Sequence, residues 1–332
     1  MEKEGEKKLM SLPWEDVDKY MKKRRLFPPL SHFKMHWQLY LMLLPGLFIL
    51  AVFSYYPMHG ILIAFKQYNP IVGVWESEWA GNHGFENFIY AFASDGFWDL
   101  VANTLILGVL KLVFAFPSSI ILALMFNEIR VRWFKKTVQT LSYLPYFISW
   151  VVVNAIVYMF LSTDYGLINN MLEAIGAEPV QWYAEPKYWR AILTFMTIWK
   201  NAGWGTIVFL AALTAISPDL YEAAAIDGAG RWKQTIHVSI PGIMSVIGIT
   251  FVLNVASIVK DDFEMIYALV GDNALLQQTT EVLGTWIYKM LNNSTRSWGD
   301  ATAVGLCQSI LSLLLMIGAN WVVKKTGNPS MW

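Results

Sequence analysis

The sequence is poor in charge, in cysteine and in catalytic signatures. Only 15% of its 332 residues are Asp, Glu, Lys or Arg, against about 25% in soluble domains, so it lacks the polar surface of a water-exposed fold. Basic and acidic residues balance at 25 each, which leaves no bulk field to attract nucleic acid. The single cysteine, Cys307, excludes a disulfide framework and a thiolate metal cluster; set in an apolar run, it reads as a packing residue. No G-x-x-x-x-G-K-[ST] loop is present to cradle nucleotide phosphates, and no G-x-S-x-G elbow to carry a nucleophile. His32 and His36 stand four apart but have no carboxylate between them, so they read as flanking residues, not metal ligands. The overlapping glycosylation sequons in Asn292-Asn293-Ser294-Thr295 read as incidental.

What the sequence does have is apolar length. It is 55% hydrophobic, with 16 Trp, 15 Tyr and 19 Phe, and its mean hydropathy is +0.40. So many aromatics suit the belts at membrane interfaces. A helical span needs about 20 mostly apolar residues. Six windows qualify: Leu39–Phe65, Val101–Phe126, Val138–Leu161, Ala191–Ile216, Ile240–Val259 and Ala301–Val323. Barrel strands would be shorter and alternating. The expected fold is therefore all-α, a polytopic membrane protein with six transmembrane helices.

Residues 1–37 form a charged segment ending in Lys22, Lys23, Arg24 and Arg25. The apolar run behind it is too long for a cleavable signal, so the segment reads as a topology anchor. Lys and Arg in the flanks and short loops divide thirteen to six between the two sides. The positive-inside rule then puts both termini in the cytoplasm, with 66–100, 162–190 and 260–300 outside. These outer loops are longer than a helix connection requires.

The most informative stretch, 217–241, follows the fourth window. Ser217 is a candidate N-cap with Pro218 in the first turn. Asp219 and Glu222 suit the positive end of a short helix, and Gly228 and Gly230 can end it. A second helix is expected over Arg231–Val238, stopped by Pro241. Pattern alone leaves two readings open: an ordinary hairpin, or a rigid knob that seats in another protein's groove.

Here the sequence resembles a known family. Glu222-Ala223-Ala224, Gly228 four residues later and Val238-x-Ile240-Pro241 look like the E-A-A loop of ABC importer permeases. Four further stretches resemble the oligosaccharide and polysaccharide branch of maltose-type permeases: Asn103-Thr104-Leu105, Gln139 to Pro145, Trp199-Lys200-x-x-Gly203-Trp204 and Ala303 to Leu306. The segment from Tyr68-Asn69-Pro70 to Trp79, with Phe85-Glu86-Asn87-Phe88, fits the same branch. Near the end of span five many relatives read Gly-Phe-Glu, where this chain has Lys260-Asp261-Asp262-Phe263-Glu264.

The resemblance implies a type I importer permease in the bacterial cytoplasmic membrane. A second homologous permease subunit, two copies of a cytoplasmic ATPase and an external sugar-binding protein would complete it. ATP and Mg would be bound by the ATPases, with no cofactor in this chain. Glu222, Ala223, Ala224, Asp227, Gly228 and Pro241 would then form the ATPase-coupling loop.

Two lysines fall inside the expected spans. A lone lysine at mid-membrane costs about 2.5–3.5 kcal/mol, so Lys111 and Lys200 must face protein or a wet cavity. Thr104, Gly108, Lys111, Ala115 and Ser118 make a small, polar stripe on span two. Lys111 there is either bonded to backbone carbonyls at a helix break near Pro117, or lines a pathway and holds a sugar hydroxyl or uronate. Tyr143, Tyr146, Trp150, Tyr158, Trp199 and Trp204 are candidates for stacking on sugars. An ion-coupled secondary transporter is the main alternative, but such carriers use intramembrane acids and the six windows offer no acidic relay.

Overall fold

The computed structural model describes residues 36–260, 262–293, 297–327 and 330–332. The basic run at 22–25, His32, Asp261 and the Ser294 and Thr295 of the sequons lie outside the described residues. The chain divides into two units, Met1–Gly60 and Ile61–Trp332.

In the first unit, α1 (Trp37–Leu50) continues into a π turn at Ala51–Tyr55. Helix persists to Phe65, so 37–65 is one stretch long and apolar enough to cross a membrane.

The second unit is helical, with one isolated antiparallel bridge, Lys66 to Trp79, among its described residues. After α2 (Glu86–Ala93), α3 (Phe97–Leu110) joins α4 (Phe116–Glu128) through a π turn at Lys111–Ala115. α5 (Arg132–Tyr143), α6 (Trp150–Leu161) and α7 (Leu167–Ala174) precede the long α8 (Trp189–Thr214). The loop 217–241 holds α9 (Pro218–Ile226) and α10 (Arg231–Gln234). Beyond it lie α11 (Met244–Ala256), α12 (Phe263–Val270), α13 (Leu283–Asn293) and α14 (Ser297–Lys325).

Three of the expected spans are continuous stretches: 37–65, 97–128 and 298–325. The other three are long and apolar enough to cross only as bent pairs. The third window turns by 101° between Arg132–Phe147 and Trp150–Leu161, and the fifth by 64° between Arg231–Gly242 and Met244–Ala256. The fourth is straight through Thr214 and turns by 73° into α9. Apolar composition sets the length of a span but says nothing of a break inside it.

The prolines explain part of this. Pro57, Pro117 and Pro241 each stand two residues after a five-residue π turn, at 51–55, 111–115 and 235–239. Proline has no N–H to donate and crowds the carbonyl four residues back; a widened turn takes up that mismatch without breaking the helix. Pro241 is therefore not a stop. Helix runs from Arg231 through it to Gly242 and yields at Ile243.

Lipid is as apolar as leucine, so these helices are held by close packing and polar bonds more than by exclusion from water. One core cluster joins α3, α6, α8 and α12 through Leu107, Val153, Val157, Trp189, Leu193 and Met265. Another joins α4 and α8 to the start of the fifth span through Ala123, Phe209, Leu213 and Ile243.

Candidate functional site

Two of the family-like stretches meet at one corner. The break after Pro145 leaves backbone carbonyls without helical partners, and Ser149 restarts the helix by accepting from Val152 N at 3.4 Å. The Lys200 ammonium, on α8, donates to the carbonyls of Pro145 (3.3 Å), Tyr146 (2.9 Å) and Ile148. It also lies 5.1 Å from the Trp150 ring and 5.9 Å from Tyr146. Gly203 leaves no room for a side chain against the Ser142 carbonyl, which lets α8 approach α5. Trp204 stacks flat on Tyr146, 4.6 Å away at 5°, and Thr206 donates to the Tyr143 hydroxyl at 3.4 Å. Carbonyl bonding at a helix break, one of the two readings for Lys111 near Pro117, is instead what Lys200 does at Pro145.

Lys111 has a different partner. Its ammonium pairs with Asp262 at 3.1 Å, the two side chains 19% and 41% exposed. Asp262 precedes α12 as its N-cap residue, yet its side chain caps nothing; the carboxylate reaches across to span two instead. The preceding chain leaves α11 at Ser257, and carbonyls on either side of that point are taken by the last span. Gln308 donates to Val259 O at 2.6 Å and Ser312 to Ala256 O.

This pair stands at one end of a cleft of about 630 Å³ bounded by α3, α4, α8 and α11. Polar groups reach it from three spans: Ser119, Asn201, and Thr250, Asn254 and Ser257. Trp204 also lines it. Of the stacking and lysine candidates, Lys111 and Trp204 are at the cleft, whereas Lys200, Tyr143, Trp150 and Trp199 are not among its lining residues. Tyr158 packs against Tyr165 and Tyr183. The stripe on span two ends at Ser119 instead of Ser118, because the π turn inserts a residue before it. Asn201, Thr250, Asn254 and Ser257 were not singled out in the sequence, and Asp262 stood out only within the charged departure at 260–264. Thr250, Asn254 and Ser257 were legible as a stripe at spacings of four and three; the pairing of Asp262 was not, since it lies 151 residues from Lys111.

The other family-like stretches tie the connecting loops to the spans. Asn103 donates to the carbonyls of Gln278 and Glu281 at 3.0 and 3.1 Å and accepts from Arg190 at 2.7 Å. Asn87 donates to Ala64 and Lys66 carbonyls at 2.9 and 3.0 Å. Buried Lys66 donates to the carbonyls of Val74 and Trp75 at 2.8 and 3.0 Å.

In the loop after α8, Ser217 accepts from Asp219 N at 3.3 Å and starts α9. Gly228 ends it at φ +77°. There Gly228 N bonds Ala225 O at 3.0 Å and Ala229 N bonds Ala224 O at 2.8 Å, the paired closure that a left-handed residue allows. Glu222, Ala223, Asp227, Gly228 and Pro241 are exposed and Ala224 is half-buried. The loop is braced: Tyr221 bonds Ser239 at 3.0 Å, and Arg231 pairs with Glu128 at the end of α4. Yet Leu220, Ile226 and Trp232 are 55%, 87% and 76% exposed.

Comparison with known proteins places this geometry. Residues 115–328 match the family model of the binding-protein-dependent transport system inner membrane component. The chain is similar to the polygalacturonan/rhamnogalacturonan transport system permease protein YteP of Bacillus subtilis, 40% identical over 95% of this chain and 96% of that one. It is similar to Protein LplB of the same organism, at 39% over 86% and 88%. Among solved structures, it is similar to a chain of a bacterial alginate ABC transporter in complex with an alginate pentasaccharide-bound periplasmic protein. That match has a TM-score of 0.81 at 36% identity and covers 91% of this chain and 99% of that one. Through a family model that spans most of it and relatives matched over nearly their full lengths, the chain belongs to the membrane-embedded permeases of binding-protein-dependent ABC transport systems.

Proposed function

We propose that this chain is one of two homologous permease subunits of an ABC importer that moves oligosaccharides through the cleft. Two copies of a cytoplasmic ATPase, which bind ATP and Mg, and an extracytoplasmic sugar-binding protein complete the assembly. Both termini and the α9–α10 loop face the cytoplasm, and the Lys111–Asp262 end of the cleft faces outward. The observation that carries this reading is the loop itself. It is braced to α4 and the fifth span, yet presents apolar Leu220, Ile226 and Trp232. Large exposed apolar side chains on a rigid support mark an interaction surface. A partner that pulls on such a loop moves the spans that line the cleft. The cleft in turn offers hydroxyl and amide groups with one indole face, which suits a hydroxyl-rich ligand. The relatives named for polygalacturonan and alginate transport support the same substrate class.

The test is sugar-stimulated ATPase activity, measured with uptake in the same proteoliposomes. Gly228→Val forces a β-branched residue to φ near +77°, a strain of about 1–2 kcal/mol. Ala223→Trp puts bulk on the exposed face of α9. Both variants should insert and pack normally, but lose transport and the response of the ATPases to loaded binding protein. Normal stimulation and normal uptake in both overturn the coupling role. ATP-independent uptake by the lone chain overturns the importer reading in favour of an ion-coupled carrier.

A further inference from the structure

Helix α12 starts immediately after Asp262, which lines the cleft. Its Met265, Ile266, Leu269 and Val270 are buried in the core cluster with α6 and α8, which fixes the helix rotationally. Phe263 and Tyr267, one turn apart, therefore share the flank that is left. Their rings stack at 5.4 Å and 21°. Tyr288 of α13 closes the group, 5.0 Å from Phe263 and 4.9 Å from Tyr267. Tyr267 and Tyr288 are 37% and 38% exposed, so the cluster is a surface and not a core. The two phenols hydrogen-bond each other, which raises the Tyr267 pKa above its ordinary value and keeps the hydroxyl neutral.

We propose that Phe263, Tyr267 and Tyr288 form an aromatic platform for a pyranose ring, an outer subsite that receives an oligosaccharide at the mouth of the cleft. The inference rests on the importer reading above. A pyranose has an apolar C–H face and a rim of hydroxyls; stacked rings edged by two phenols complement both. The surroundings exclude an acyl chain as occupant. Asp262 precedes the platform, and Glu264 is exposed on the same helix. A carboxylate does not sit among lipid tails without cost, but hydroxyls hydrogen-bond to it readily. The platform is also next to the cleft along the chain, since Phe263 directly follows Asp262, which lines the cleft. A chain of several sugars can touch the platform and the cleft together, whereas a disaccharide within the cleft reaches only the cleft.

The experiment compares hexasaccharide with disaccharide uptake by the reconstituted complex. Two double variants are used, Tyr267→Ala with Tyr288→Ala, and Tyr267→Phe with Tyr288→Phe. Loss of each ring contact is expected to cost about a factor of three, in the range of aromatic stacking. The alanine pair should thus lower the hexasaccharide-to-disaccharide ratio about tenfold. The phenylalanine pair keeps both faces and should hold the ratio within about twofold. An unchanged ratio in the alanine pair, or an equal fall at both lengths, overturns the platform. Loss of the second permease from the alanine complex on size exclusion also overturns it, by showing a subunit interface. Failure of the importer reading is seen separately, as absence of ATP-dependent uptake of either sugar by the unsubstituted complex.

Discussion

At the scale of single residues, buried polar groups in this chain serve the backbone first. Lys200 satisfies three carbonyls at the Pro145 break, and a buried acceptor left without a donor costs about 1–3 kcal/mol. Lys200→Met is therefore expected to destabilise the purified protein by about 3 kcal/mol, read as a lower melting temperature and poor assembly. A transport defect with unchanged melting would instead make Lys200 a pathway residue. Lys111 and Asp262 form a pair that is partly open to solvent, where screening reduces the gain. A double-mutant cycle with Lys111→Met and Asp262→Asn should show coupling of about 1 kcal/mol. No coupling would mean that the pair is a chance approach. Tyr183 differs from both: its hydroxyl is buried with no hydrogen-bond partner among the described residues. Burial pushes its pKa up to about 12. Because the folded-state pKa lies above the unfolded value near 10, the phenol is neutral in both states below pH 10, and stability falls as pH rises from 10 towards 12 and the unfolded chain ionises first. Tyr183→Phe should stabilise the protein by about 1 kcal/mol and flatten that alkaline loss, both measurable by thermal melts across pH.

At the scale of elements, the same residue type does three different things. Pro45 sits within α1; Pro57, Pro117 and Pro241 follow π turns; Pro145 ends a helix. What sets Pro145 apart is Ser149, ready to cap the next helix, and Lys200, ready to take the freed carbonyls. The first is four residues away and visible in the sequence. The second comes from another span and is not. The fit of α8 against α5 is similarly close at Gly203, where a methyl group would overlap the Ser142 carbonyl. Gly203→Ala should cost about 1–3 kcal/mol through displaced backbone. A melting temperature equal to that of the unsubstituted protein would show that the two helices are free to separate. Legibility follows the same division. The six apolar windows and the α9 caps were readable because they depend on runs and spacings within one segment. The bends, the Lys111–Asp262 pair and the cleft depend on contacts between segments. The E-A-A-like loop was readable because its start, its glycine turn and its proline all lie within twenty-five residues.

At the scale of the whole molecule, the proposed function calls for two working ends joined by the spans that line the cleft. One end carries α12, α13 and the paired charges at the cleft mouth; the other carries the braced α9–α10 loop. If transport requires motion of one end to reach the other, the loop must be covered by its partner on the cytoplasmic side only. Labelling tests this directly in a Cys307→Ser background. Cys307 is a partly buried packing residue, so its removal should leave the fold intact. Glu173→Cys, exposed in the 162–190 loop, should react with an impermeant thiol reagent in intact cells. Ile226→Cys, at a position 87% exposed on the isolated chain, should not. In inverted vesicles stripped of peripheral proteins the Ile226 site should become reactive, and adding back the ATPase should protect it again. Labelling of position 226 from outside the cell would invert the topology. Reactivity unchanged by the ATPase would separate the loop from the ATP-driven step, and leave α9 as an ordinary connection between the fourth and fifth spans.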